Sequence, residues 1–266
     1  MTRSDMPQAA QTEPDILPEP AQIAMSDIWA SLAAGWRDFR RAPAFGLLFS
    51  AFYVAGGMVL TLVAVASGQD WWLLPFIAGF PLIAPFAAVG LYEVSRRIES
   101  GEPLIWPDII RVVIRQKDRQ MPSMAMVILL MFMFWVFVAH TTFALFMGTA
   151  SLTNITTSPE MLLQGRGLMM LSFGTLVGAG FAAVLFAFTV VGLPVLLDRE
   201  VDFITAIIAS VDAVRQNFGV LMVWAALIAG MLFLSFIPAF LGLFIVMPVL
   251  GHASWHLYRR LMPDDE

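Results

Sequence analysis

Six apolar blocks dominate the chain, at about 43 to 67, 71 to 95, 121 to 148, 167 to 197, 219 to 235 and 238 to 257. Each approaches or exceeds the ~20 residues a helix needs to cross a ~30 Å hydrocarbon layer. The links SGQD (67 to 70) and FIP (236 to 238) are so short that their flanking helices must run antiparallel. The pattern predicts an all-α polytopic bundle of six transmembrane helices arranged as three hairpins. It also predicts a kink or an exposed backbone carbonyl at Pro85, Pro194 and Pro248, because a proline inside a helix removes one backbone hydrogen bond.

The polar connections carry a second pattern. DIWASLAAGWRDFRRAPAFGLL from Asp27, DIIRVVIRQKDRQMPSMAMV from Asp108 and DFITAIIASVDAVRQNFGVLM from Asp202 each open on Asp and run into the next span. An aspartate there suits a helix N-cap and the positive end of the helix dipole. In the first, Ile28, Leu32, Trp36 and Phe39 recur at helical spacing, with Arg37, Asp38, Arg40 and Arg41 beside that stripe. Ile109, Val112 and Val113, and Phe203, Ile207, Val211 and Val214, repeat the arrangement. These are expected to be amphipathic helices, either lying in the membrane interface or packed on one another beneath it.

Together the two patterns read as three units, 25 to 100, 101 to 198 and 199 to 262, behind a disordered tail, 1 to 24, rich in proline and acidic residues. Pro85, Pro194 and Pro248 stand eight residues before Glu93, Asp202 and His256 respectively, and LYEVSRR (91 to 97) superposes on SWHLYRR (254 to 260).

Composition supports the membrane reading: 59% of residues are hydrophobic and 13% charged, against roughly 45–50% and about 25% in soluble domains. If all six blocks cross, Arg166 alone among the 15 lysines and arginines lies on the far side. Basic residues accumulate on the cytoplasmic side, so both termini are expected on that side. No basic footprint for nucleic acid is present. The absence of cysteine excludes thiolate ligands and cysteine nucleophiles.

Candidate chemistry gathers at the basic ends of spans two, four and six. His252 and His256 share a helix face, with Glu93, Asp198 and Asp202 expected as neighbours. Such a cluster could pair buried charges, handle protons or a solute, or bind a cation. Pairing is the reading favoured here. No metal site and no cofactor is expected, because His140 lies ~28 Å along span three from its basic end and cannot join the other histidines. It is expected to hydrogen-bond between helices. No catalytic constellation is visible.

From AGWRDFRRAPAFGLLF, through GLYEVSRRIESGEP and LPVLLDREVDF, to PVLGHASWHLYRRL, the chain resembles a family of six-helix proteobacterial inner-membrane proteins of unknown function. The resemblance covers essentially everything after residue 25 and implies membrane location. Some relatives carry a cytochrome c oxidase subunit I label, but three histidines cannot ligate two haems and a copper. Two functions stand: a small transporter or channel, whose proline-interrupted helices line a cavity, or a non-catalytic accessory or assembly factor of a larger membrane complex. The expected partners are the lipid bilayer and other membrane proteins.

Overall fold

The computed structural model describes residues 17–67, 73–147 and 165–263. Among these, ten α-helices run α1 (Met25–Arg41), α2 (Pro43–Ser67), α3 (Leu73–Ser100), α4 (Trp106–Arg115), α5 (Met121–Met147), α6 (Gly165–Thr189), α7 (Gly192–Asp198), α8 (Phe203–Gln216), α9 (Phe218–Phe236) and α10 (Leu243–Leu261). A 3-10 turn, Gln116–Asp118, follows α4. Most of the loops expected at 67 to 70 and 149 to 166, and the first 16 residues of the tail, lie outside the described residues.

Local chemistry explains the breaks. Pro43 ends α1, because a residue before proline is pushed out of helical geometry, and it then opens α2 at a position where a missing N–H costs nothing. Pro194 cannot donate to the carbonyl four residues back, and span four divides just before it into α6 and α7. The N–H of Val191, at this break, donates instead to Ser210 Oγ of α8 at 3.1 Å. Pro248 sits inside an uninterrupted α10, and Pro85 lies within α3. Of the three expected N-caps, only Asp202 is one, accepting from the N–H groups of Ile204 and Thr205. Asp27 and Asp108 sit one turn in. Asp27 reaches back to the Ala24 N–H at 2.8 Å, and Asp108 pairs with Arg111.

Among the described residues, four helical stretches are long and apolar enough to cross a membrane: Pro43–Val63, Met121–Phe146, Gly165–Asp198 and Phe218–Ser235. Six were expected. The apolar run of α10 stops at HASWHLYRRL, and the side chains in the first half of α3 lie outside the described residues. The four stretches are polarised in an inside-out sense: Leu62, Leu130, Phe137, Leu145, Leu176 and Phe233 all face outward. Water would not tolerate so continuous an apolar surface, whereas lipid would. The closely packed core lies toward one end, where Trp224, Trp255, Tyr258, Leu257, Met121 and Met124 are fully buried.

The order short helix, long helix, long helix occurs three times, with α6 and α7 together making one long element. Contacts follow that order in a ring. The second long element packs on what comes next: α3 on α4 and α5, α6 and α7 on α8, and α10 back on α1 and α2. Residues 17–24 join this closure rather than trailing as tail. Leu17 and Ile23 pack on the core, Ala21 N–H donates to the Leu261 carbonyl, and Ile23 N–H donates to Asn217.

The short helices α1 and α8 turn mainly small residues inward. The buried face of α1 is Ile28, Ser31, Ala34, Gly35 and Asp38, while Trp29 and Trp36 point outward. In α8 the buried face is Ala206, Ser210, Ala213 and Val214, with Ile204 and Ile208 outward. Small residues win the inner face because they let backbones touch. A Cβ on Gly35 would stand 2.6 Å from both the Ala253 nitrogen and the Val249 carbonyl oxygen of α10. Gly35→Ala must therefore push two helices apart. We expect it to cost about 1–3 kcal/mol, as overpacking does, read as a lower melting temperature in detergent. Gly230→Ala, with nothing within 4 Å, should leave the melting temperature unchanged.

Candidate functional site

The five residues expected to cluster are distributed over three places. His252 and His256, one turn apart on α10, meet Asp38 of α1 and Ser95 of α3. His256 Nε2 lies 2.7 Å from Asp38 Oδ2, Ser95 Oγ lies 2.8 Å from the same oxygen, and His252 Nδ1 lies 2.8 Å from Ser95 Oγ. Asp38 is 6% exposed, and Ser95 and His252 are fully buried. The hydroxyl has one proton, which goes to the carboxylate, so Ser95 Oγ accepts from the Nδ1–H of His252. His252 Nε2 is then a bare acceptor, buried without a partner. Serine, histidine and aspartate are all present, yet in the wrong order for nucleophilic catalysis. There the imidazole stands between hydroxyl and carboxylate, and here the hydroxyl does.

Asp38 was missed because it reads as one charge among Arg37, Arg40 and Arg41. The signal that could have found it is the small-residue stripe Ser31, Ala34, Gly35, which continues onto Asp38 one turn later. Burial works to raise its pKa, but hydrogen bonds from His256 and Ser95 and the nearby imidazoles outweigh that and hold the carboxyl below its usual range.

Glu93 and Asp198 belong to a different site. They stand on opposite walls of a cavity of about 390 Å³ between α3, the α4 segment and the end of α7, which opens to solvent. Arg96 of α3, and Arg115, Gln116 and Arg119, complete its polar lining, with Glu200 at its edge. Glu93 is clasped by Arg96 at 2.8 Å and Arg97 at 2.6 Å. Asp198 accepts from Tyr258 Oη at 2.7 Å and faces Arg259 at 3.7 Å. Glu99 ties the same ends together, accepting from Trp255 Nε1 at 2.9 Å and Arg259 at 3.4 Å. The second long elements of all three units are therefore cross-linked by charge at their polar ends.

Asp202 is exposed and occupied as the α8 cap. Its carboxyl is held below the usual range by the Thr205 hydroxyl and backbone N–H, and it touches neither histidine. His140 is exposed on α5, with Nδ1 2.8 Å from the Val136 carbonyl of its own helix, and among the described residues it has no interhelical bond. Among the described residues, no three histidine, aspartate or glutamate side chains converge as a metal site.

Residues 73–198 match the family model described as "Predicted integral membrane protein (DUF2189)", a domain of unknown function. That stretch runs from α3 through α7 and contains most of the cavity's walls. No curated protein matches the chain. No solved structure matches it either.

The depressed Asp38 pKa gives a pH dependence with a definite sign. A carboxyl whose folded pKa lies below its unfolded value of ~3.9 contributes stability above that value and loses it as pH falls through the folded one. At neutral pH, Asp38→Asn should cost about 1–3 kcal/mol, as loss of a charged buried hydrogen bond does. In melting experiments in detergent, the gap between wild type and variant should narrow as pH falls below ~4.

Proposed function

We propose that this integral membrane protein is a small solute-handling protein of the transporter or channel class, without enzymatic activity, and that the charged cavity beside Glu93 and Asp198 is where solute is received. The carrying observation is the cavity itself. A protein acting only through its surfaces needs grooves and flat faces, whereas this chain keeps about 390 Å³ open among six charged side chains at the polar ends of its helices. Broken or proline-bearing helices beside it, α7 above all, are the kind of element that lines such sites in transporters.

In this reading six helices cross the bilayer, as three copies of one unit, and the cavity opens to the cytoplasm. The distribution of arginine and lysine supports that orientation. A chain with no cysteine makes the topology simple to test. Arg111, on the exposed side of α4, becomes a single labelling site in Arg111→Cys. In whole cells stripped of their outer membrane, a membrane-impermeant maleimide should leave it unlabelled, and in inverted vesicles it should label it fully. The opposite pattern would reverse the topology.

For the activity, vesicles reconstituted with the protein should release small organic anions or amino acids at least tenfold faster than protein-free vesicles. Glu93→Gln should abolish the difference. Release no faster than from empty vesicles across such a panel would remove the transport reading.

A further inference from the structure

The three short helices can be compared position by position, counting from Asp27, Asp108 and Asp202. Four, seven, eight and eleven residues on, α1 carries Ser31, Ala34, Gly35 and Asp38, and α8 carries Ala206, Ala209, Ser210 and Ala213. These are small faces, apart from Asp38, and each packs on the second long element of the unit before it, α1 on α10 and α8 on α6 and α7. The same positions in the α4 segment are Val112, Arg115, Gln116 and Arg119. All four line the cavity. The α4 segment packs on α3 but carries Val112 and three long polar side chains at these positions, and they border open space where the counterparts have contact.

The charges differ in the same way. Asp38 meets His256 across the α1–α10 contact at 2.7 Å. In the superposition of LYEVSRR on SWHLYRR, His256 corresponds to Glu93, and Asp38 corresponds to Arg119. Here the two partners do not bond. Glu93 is held by Arg96 and Arg97, and Arg119 reaches Glu200 at 3.4 Å and the Arg199 carbonyl at 3.1 Å. The carboxylates of the walls are thus met by the protein's own arginines, including Arg97 and Arg259 from outside the cavity. Arg115 has no ion pair or hydrogen bond among the described residues. Gln116, 2% exposed, leaves its Oε1 without a partner. A buried acceptor normally has one.

Resting on the reading of this cavity as a ligand site, we infer that it binds a phosphate ester that also carries a hydroxyl or amine, with Arg115 and Arg119 holding the phosphate and Gln116 accepting from the ligand's donor. Guanidinium groups match phosphate oxygens in geometry and charge, and an orphaned amide oxygen asks for a donor at short range. Free small esters and lipid headgroups share that chemistry. The outward Trp106, Ile110 and Ile114 of α4 place apolar surface beside the cavity, within reach of a bilayer surface.

The test uses full-length protein in detergent and two probes. Calorimetry with glycerol 3-phosphate reports the free ester, and native mass spectrometry after incubation with phosphatidylglycerol reports the lipid. Variants are Arg115→Gln, at an exposed position that tolerates change, and Gln116→Leu. Binding of glycerol 3-phosphate that weakens at least tenfold in Arg115→Gln assigns a soluble ester. Lipid retention that is lost in Arg115→Gln, without ester binding, assigns a headgroup. Absence of both, or binding indifferent to both substitutions, overturns the inference. Binding without flux in reconstituted vesicles would leave this inference standing and remove transport alone.

Discussion

The close approach of α1 to α10 is the constraint on which the remaining architecture depends. Gly35 lies directly against the backbone of Val249 and Ala253, so nothing larger than hydrogen fits between them. That contact fixes the first short helix to the last long one and closes the ring of units. It also decides which face of α1 turns inward, and so carries Asp38 into the interior. A carboxylate buried there needs partners, and α10 supplies His256 one turn beyond the contact while α3 supplies Ser95. The polar network is a consequence of backbone proximity rather than its cause.

The same logic separates two kinds of polar interior. Around Asp38 every exchangeable proton has an assigned acceptor, the His252 Nε2 lone pair alone is unmet, and the arrangement is sealed. Around Glu93 and Asp198 the carboxylates are satisfied from behind by Arg97 and Arg259, and open volume remains in front. A sealed network holds helices together. An open one, lined by charges whose partners lie partly outside it, is available to something else.

How much of this was legible in the residues varies with the physics involved. Long apolar runs report lipid contact directly, so four of the six expected spans reappear among the described residues as helices able to cross a membrane, and Asp202 caps α8 as its position before an apolar pair suggests. The apolar stripe of α1 leaves open which face is packed; in the fold Trp29 and Trp36 stay outside and the small residues take the packed face. Asp38 sits beside that stripe and reads as one more surface charge, and of the neighbours expected for the histidines, Glu93 and Asp198 are bonded to arginine and tyrosine while Asp202 caps its own helix. Glu93 and Asp198 stand out as intramembrane carboxylates, but Arg115 and Arg119 enter only the count of basic residues and nothing marks Gln116. Only the comparison with the small faces of α1 and α8 distinguishes them, and that comparison needs to know which faces are inside.

Ring closure also has a consequence for biosynthesis. Helix α1 leaves the ribosome long before its docking partner α10, so Asp38 must wait, without its imidazole, while more than two hundred further residues are made and inserted. Until α10 arrives the nascent protein holds an unsealed seam between its opening and closing segments. A chain cut short before His252 cannot seal it, whatever the quality of the helices already in place, and that makes the C-terminal ten residues of α10 the latch of the assembled protein.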